Sequence, residues 1–155
     1  MVLYAAIKTH QGPAGDHIEF DGWPDGQAGP VGAQTLIRLS NGRPREPLLR
    51  VTLEPALDRL SATAARGSLH YSRLADATLR PLPALAEVSF ARGDTYIGLT
   101  PPAGLAEPPA IARFLHMRDD FNAERLAEGV LDFLAQESGA SDFPLDVSVI
   151  VVEAR

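Results

Sequence analysis

The stretch from Asp119 to Glu153, DDFNAERLAEGVLDFLAQESGASDFPLDVSVIVVE, decides the fold class of this chain. Its first half has apolar residues at the spacing of an amphipathic helix, namely Leu126, Val130, Phe133 and Leu134. Asn122 is the expected N-cap of this helix, and Gly139 is typical of the residue that follows a helix C-terminus. Val147–Val152 is a continuous apolar run, which predicts a strand covered on both faces. A helix followed by a buried strand predicts mixed α and β structure.

The region before this stretch is rich in strand patterns. Val2–Lys8 and Leu48–Leu53 are predicted strands, and Ser61–Leu99 has the alternation of apolar and polar residues that is typical of antiparallel β-structure. Within that last region, Arg92-Gly93-Asp94 is predicted to be a hairpin turn that leads into Thr95–Leu99.

Three short helices are also expected. Ala33–Ser40 precedes the helix-stopping pair Asn41-Gly42, which favours a helix that ends there. Pro55 is suited to the first position of a helix that extends to Leu60, because proline is tolerated in the first turn. A third helix is predicted near Ala110–His116.

The composition fits a single domain that covers residues 1–155. A chain of 155 residues has the usual size of one domain, and 45% hydrophobic residues are enough to form a core. The 20 acidic residues outnumber the 14 basic ones, and the net charge of −6 argues against binding to nucleic acid or anionic membranes. The absence of cysteine excludes disulfides and thiolate metal sites. Because no signal-peptide pattern and no bilayer-length apolar run occur, we expect a cytoplasmic protein.

The segment Gln11–Gly32 is rich in glycine, proline and aspartate, which predicts a long loop of the kind that often carries function. It brings together several carboxylates and imidazoles: Asp16, Glu19, Asp21 and Asp25, with His10 and His17. One hypothesis is a site for a hard divalent cation, Mn²⁺ or Mg²⁺, with Asp16 and Asp21 as ligands. The alternative is an exposed loop in which aspartate and glycine make turns, since the spacing matches no dedicated ion-binding loop.

Trp23 and Asp25 are candidate binding residues in the same loop. Trp23 is the only tryptophan of the chain, and it is either an anchor for a ligand or a plug that packs the loop against the domain. Asp119-Asp120 is interpreted as a pair of helix-capping charges rather than as a catalytic pair. Since the histidines are dispersed and no nucleophile elbow or phosphate-binding glycine loop occurs, the residues alone indicate no catalytic site.

Four segments occur in a specific order between Ser61 and Arg155. They are Ser61-Ala62-Thr63-Ala64 with Gly67–Tyr71 (GSLHY), Gly93–Thr100 (GDTYIGLT), the helix at Asn122–Gln136, and Leu145–Val152 (LDVSVIVV). In this order they resemble the metal-dependent type 2C serine/threonine phosphatases, especially the compact stage-II-sporulation-type branch. The resemblance implies an α+β fold in which two packed, mainly antiparallel sheets are flanked by helices, as a trimmed form of that family's sandwich.

The resemblance also implies that metal ligands are missing. In the family, Thr-Asp-Gly follows the apolar strand and its aspartate binds a metal, whereas this chain has Thr100-Pro101-Pro102. The metal-binding aspartate of the closing motif falls at Leu145, and Asp146 matches only its neighbour. Proline and leucine have no side-chain oxygen, so a two-metal centre would lose two ligands. Gly15-Asp16 and Asp21-Gly22 lie about where other family ligands are expected, at a spacing that is too short.

The sequence therefore predicts a non-catalytic, pseudophosphatase-like domain that regulates a protein partner in bacterial signalling, without catalytic residues or a cofactor. The alternative is a small divalent-metal-dependent hydrolase that uses the Asp16–Asp25 loop. A third hypothesis is a ligand-binding domain in which the long loop closes around Trp23. The oligomeric state is not predicted.

Overall fold

A computed structural model describes residues 1–11, 17–40, 48–64, 68–73, 78–100, 123–137 and 146–155. Within these ranges the chain forms eleven strands, one 3-10 turn and one α-helix. The strands are β1 (Leu3–His10), β2 (Glu19–Asp21), β3 (Ala28–Pro30), β4 (Thr35–Ser40), β5 (Leu49–Glu54), β6 (Arg59–Ala64), β7 (Ser68–Arg73), β8 (Thr78–Leu82), β9 (Leu85–Ser89), β10 (Thr95–Leu99) and β11 (Val147–Ala154). The 3-10 turn is Pro55–Leu57, and the helix, α1, is Ala123–Glu137.

The strands divide into two antiparallel sheets. The six-stranded sheet has the order β3-β1-β11-β10-β7-β8, and the five-stranded sheet has the order β2-β4-β5-β6-β9. In the six-stranded sheet the ladder between β1 and β11 runs from Leu3 opposite Ala154 to His10 opposite Val147. The other side of β11 pairs with β10, so β11 lies inside the sheet.

The inner faces of the two sheets pack against each other through one apolar cluster. Alternate residues of several strands contribute to it, for example Ile37 and Leu39 from β4 and Ile150 and Val152 from β11. This two-residue period is the geometry of a strand, in which successive side chains point to opposite faces. The expected arrangement of two packed antiparallel sheets is thereby confirmed.

Helix α1 covers the outer face of the six-stranded sheet. The residues of this second cluster are Ala123, Leu126, Ala127 and Val130 from the helix, with Ala6, Ile97, Leu99, Val147, Val149 and Val151 from the sheet. Because the five-stranded sheet covers one face of β11 and α1 covers the other, all residues of β11 are buried. The continuous apolar run Val147–Val152 is therefore a doubly covered strand, as the sequence predicts. No helix among the described residues is long and apolar enough to cross a membrane.

The helix expected at Ala33–Ser40 is wrong, because Thr35–Ser40 is strand β4. Ile37 and Leu39 are buried while Leu36 and Arg38 are exposed, so the apolar pattern has the period of a strand. The helix expected from Pro55 to Leu60 is also shorter than predicted. It is a 3-10 turn, Pro55–Leu57, that ends at Asp58 in the left-handed region with φ 48°.

The turn at Arg92-Gly93-Asp94 is present, but it is not a hairpin. It follows β9 in the five-stranded sheet and precedes β10 in the six-stranded sheet, so it carries the chain from one sheet to the other. Gly93 has φ 91°, which a residue with a side chain rarely adopts, and the Asp94 N–H donates to the Ala91 carbonyl at 3.0 Å. The helix expected near Ala110–His116, the cap at Asn122 and Gly139 lie outside the described residues.

Candidate functional site

One end of the six-stranded sheet brings together two of the phosphatase-like segments, those that contain Thr100 and Asp146. Strand β1 ends at His10, β10 ends at Leu99, and the antiparallel partner of both, β11, begins at Val147. Thr100 and Asp146, which directly follow and precede these strands, therefore lie at the same end. We call this region the polar end; its residues are Thr9, His17, Thr100, Asp146 and Ser148.

Asp146 is the charged residue of the polar end and is almost fully buried, with 5% of its surface exposed. Its Oδ2 accepts the backbone N–H of Ile18 at 2.9 Å. The His17 Nδ1 lies 3.1 Å from Oδ1 and 3.2 Å from Oδ2, while the rest of the His17 side chain is exposed. A buried carboxylate is costly unless donors surround it, so these contacts hold the segment before β2 against the start of β11.

The hydroxyl groups of the polar end bond to one another. The Ser148 N–H donates to Thr100 Oγ1 at 2.8 Å, and the Thr100 N–H donates to the Ser148 carbonyl at 3.1 Å. The Ser148 hydroxyl, which is fully buried, lies 2.7 Å from Thr9 Oγ1. Both hydroxyl contacts are structural, because they tie β11 to β1 on one side and to the end of β10 on the other.

The residues proposed as ligands and binding residues are distributed over other parts of the fold. Asp21 is exposed on β2, opposite Arg38 of β4, and Asp16 lies outside the described residues. Trp23 is half-buried against the core between the sheets, and its Nε1 donates to the Gln27 carbonyl at 3.0 Å. This arrangement supports the interpretation of Trp23 as a plug that packs the loop down.

Asp25, the other candidate binding residue, is exposed and influences Lys8 rather than the polar end. The pKa of the Lys8 ammonium is raised, first by its hydrogen bond to Glu128 and then by the nearby charges of Glu128, Glu124 and Asp25. Lys8 Nζ lies 3.0 Å from Glu128 Oε1, so this pair joins β1 to α1. The negative charge of Asp25 thus stabilises the charged form of Lys8, which contacts α1.

The described residues of the polar end supply one carboxylate, Asp146, and one imidazole, His17, as possible metal ligands. Among the described residues no group of three or more histidine, aspartate or glutamate side chains is arranged to hold a metal ion. The carboxylate of Asp146 is already engaged by Ile18 and His17. Pro101 and Leu145, which the motif resemblance places at the family's metal positions, are residue types without a side-chain oxygen for a hard cation.

Sequence reasoning missed the pairing of His17 with Asp146, because the two residues are far apart in the chain. The sequence does contain an indication of this contact, because Asp146 directly precedes the apolar run Val147–Val152, which is predicted to be a buried strand. A charged residue at the start of a buried strand requires donors from another segment. His17 and the Ile18 N–H supply them.

The two facing antiparallel sheets, with a helix on the outer face of one, form the fold of the type 2C serine/threonine phosphatases. The resemblance read from the motifs is thereby confirmed at the level of fold. No family model and no curated protein sequence matches the chain.

Three solved structures illustrate the likeness. The serine/threonine phosphatase PstP/Ppp of Mycobacterium tuberculosis matches with a TM-score of 0.65 at 11% identity, over 100% of this chain and 100% of that chain. The phosphatase domain of the cell fate determinant SpoIIE of Bacillus subtilis, solved with a fragment of its regulatory domain, matches with a TM-score of 0.68 at 8% identity, over 99% of this chain and 63% of that chain. RsbX in complex with magnesium matches with a TM-score of 0.64 at 8% identity, over 99% and 96%. At such identities the likeness concerns the fold alone.

Proposed function

We propose that this chain is a catalytically inactive domain with a phosphatase fold, which regulates a bacterial signalling process by binding another protein in the cytoplasm. The observation that carries the proposal is the state of Asp146. Its buried carboxylate is held by the Ile18 N–H and by the His17 ring, at the end of the sheet where the family's motifs place metal ligands.

Metal-dependent phosphate transfer needs carboxylate oxygens that are free to hold the ions and the attacking water. Pro101 and Leu145 replace two such carboxylates by residue type. Asp146 alone cannot take their place, because one carboxylate, whose Oδ2 already accepts the Ile18 N–H and which lies within 3.2 Å of the His17 ring, has fewer oxygens than two metal ions and a water require. The arrangement therefore supports a structural role for Asp146.

A regulatory role is supported by the kinds of proteins that share the fold. SpoIIE is described as a cell fate determinant whose phosphatase domain is accompanied by a regulatory domain. A domain that keeps this fold without the metal ligands still presents a folded surface to a partner. The net charge of −6 favours a protein partner over nucleic acid or an anionic membrane.

The direct test is an assay of the purified protein with an aryl phosphate in the presence of Mn²⁺ or Mg²⁺, with the PstP/Ppp phosphatase as a positive control. We expect no metal-dependent turnover above the background without protein. Turnover that requires the metal and disappears with a chelator would refute the proposal.

Calorimetry separates the proposal from the alternative of a metal-dependent hydrolase that uses Asp16 and Asp21. We expect no saturable binding of Mn²⁺ or Mg²⁺ to the wild-type chain. Tight binding that is lost in Asp21→Asn would favour the alternative. The double variant Pro101→Asp with Leu145→Asp, which restores both carboxylates, is the complementary test, and a gain of metal binding there would show that these two positions account for the loss.

A further inference from the structure

The outer face of the five-stranded sheet is exposed. The pairing of β2, β4, β5, β6 and β9 aligns one row of outward residues across all five strands. We call it the arginine row; its members are Asp21, Arg38, Arg50, Thr63 and Leu85, and each is exposed. On the other sheet the corresponding outer face is covered by α1.

Two arginines lie directly opposite each other in this row. Arg38 of β4 and Arg50 of β5 are partners in the ladder, and like charges at directly opposed positions destabilise a sheet. Within the described part of the chain, neither guanidinium has an ion pair or a side-chain hydrogen bond. Asp21 is opposite Arg38 on the other side, yet these two side chains form no ion pair. No carboxylate of the described residues therefore pairs with either arginine to relieve this repulsion.

Arg59, on the same face, differs from Arg38 and Arg50 because it is paired with acidic side chains. Arg59 Nε donates to Glu54 Oε2 at 2.6 Å, and its Nη1 lies 3.5 Å from Glu87 Oε1. The first of these bonds lowers the pKa of Glu54. This end of the face satisfies its own charges, whereas the arginine row leaves two guanidinium groups available.

Two exposed leucines lie on the same face as Arg38 and Arg50. Leu36, two residues before Arg38 on β4, is 37% exposed, and Leu85, in the arginine row on β9, is 73% exposed. Protein interfaces are enriched in arginine and in apolar residues that become buried together. Among the described residues, this face thus combines two arginines that form no ion pair with two leucines that are exposed.

We propose that the arginine row, together with Leu36, is the docking surface for an acidic segment of a partner protein. Carboxylates of that segment accept hydrogen bonds from Arg38 and Arg50, which removes the repulsion between them, and its apolar side chains cover Leu36 and Leu85. The planar guanidinium group suits a carboxylate, because it donates two parallel hydrogen bonds. This inference rests on the proposed function, since it names the partner chemistry of a binding domain.

The charge of the whole chain restricts where such a partner can bind. With a net charge of −6, the chain as a whole repels an acidic segment. Arg38 and Arg50, which form no ion pair with any described residue, are positive charges that can attract it on this face. The negative charge of the chain disfavours docking of an acidic segment elsewhere. Arg38 and Arg50 therefore determine both the attraction of the segment and the position at which it binds.

The experiment measures binding of a fluorescent peptide that repeats Glu-Glu-Leu, with a Gln-Gln-Leu peptide as the uncharged control. We expect saturable binding of the acidic peptide, weakened roughly tenfold or more in Arg38→Glu and in Arg50→Glu. The matched control is Arg92→Glu, an identical charge change at an exposed residue of the turn between the sheets, and it should leave the affinity within about twofold. Circular dichroism checks that each variant is folded.

Three results would overturn this inference: no saturable binding of the acidic peptide, equal weakening by Arg92→Glu, or tighter binding of a single-stranded oligodeoxynucleotide than of the peptide. None of them would affect the assays for turnover and metal binding. Conversely, metal-dependent turnover would refute the proposed function whatever the peptide does, so the two failures can be told apart.

Discussion

The hydroxyl of Tyr71 donates a hydrogen bond to the carboxylate of Asp94, which joins β7 to the turn that carries the chain between the two sheets. The same carboxylate oxygen accepts the Ala91 N–H at 2.8 Å, and Asp94 is buried. This aspartate follows Gly93 in one of the segments that resemble the phosphatase family. Its role here is to hold the crossing turn in place.

Tyr71→Phe removes the hydroxyl donor while it preserves the ring, which packs edge-on against Phe90. We expect the free energy of unfolding to fall by about 1.5–3 kcal/mol, as for hydrogen bonds to charged groups. Urea denaturation followed by circular dichroism measures the change. Tyr4→Phe is the control, because the Tyr4 ring beneath the Arg155 guanidinium persists in phenylalanine. Equal stability of Tyr71→Phe and the wild type would contradict the assigned role.

The same substitution at Tyr96 should have the opposite sign. Tyr96 is fully buried between the sheets, its hydroxyl has no hydrogen-bond partner within the described structure, and this burial raises its pKa. Tyr96→Phe removes an unsatisfied polar group, so we expect stability to stay equal or to rise by up to about 1 kcal/mol. The denaturation assay used for Tyr71→Phe tests this. A loss as large as that of Tyr71→Phe would reveal a partner for the hydroxyl.

The Lys8 contact with α1 predicts a dependence of stability on alkaline pH. The pKa of Lys8 is raised in the folded state by its hydrogen bond to Glu128 and by nearby acidic charges. The charged form is therefore favoured by folding, and its contribution is complete below the ordinary lysine pKa and is lost as pH rises through the folded value. We expect Lys8→Met to reduce the fall in Tm between neutral and strongly alkaline pH.

A matched control for this experiment is Glu124→Gln, which keeps the shorter contact between Lys8 and Glu128. The lysine nitrogen is 3.8 Å from Glu124 and 3.0 Å from Glu128. The alkaline loss of Tm should therefore persist in Glu124→Gln and shrink in Glu128→Gln. Identical alkaline profiles for the wild type and Lys8→Met would exclude a contribution from this contact.

The contacts of Asp146 predict a local effect on the neighbouring strand segment. Asp146→Ala leaves the Ile18 N–H without its acceptor, which should lower the free energy of unfolding by about 1–3 kcal/mol. Asp146→Asn retains an oxygen for this N–H and should cost less. His17→Ala, at an exposed side chain, should change stability by no more than about 1 kcal/mol.

Amide hydrogen exchange is the more direct measurement for this site. We expect the Ile18 amide to exchange faster in Asp146→Ala than in Asp146→Asn, while amides in the middle of β11 remain protected. Unchanged protection of Ile18 in Asp146→Ala would mean that another acceptor holds this N–H.

Local patterns in the sequence predict the strongly periodic elements well. The run Val147–Val152 predicts a doubly covered strand because both faces are apolar, and the structure buries all of β11. The helix prediction for Ala33–Ser40 is wrong because the pair Asn41-Gly42 can end a strand as well as a helix. The two-residue spacing of Ile37 and Leu39 is the pattern that distinguishes the two and indicates a strand. The turn at Gly93 can be predicted from the local sequence. The sheet to which β10 belongs cannot, because it depends on pairing with β7 and β11, which are far away in the sequence.

The candidate site was predictable only in part. The phosphatase-like motifs locate Thr100 and Asp146 near each other once β10 and β11 are known to pair. The contact between His17 and Asp146 could not be predicted, because it depends on where His17, which precedes β2, lies relative to the start of β11. The arginine row likewise appears only when the registers of β4 and β5 are known.

The central position of β11 has a consequence for how the protein is made. Leu3 pairs with Ala154, so β1 lacks this neighbour until β11, which follows all the other described strands in the sequence, has been synthesised. Until then β1 and β10 both present open strand edges, which are templates for intermolecular association. Pairing between such distant segments also slows folding. The interval before β11 is synthesised is therefore the time at which this fold is most open to association between chains.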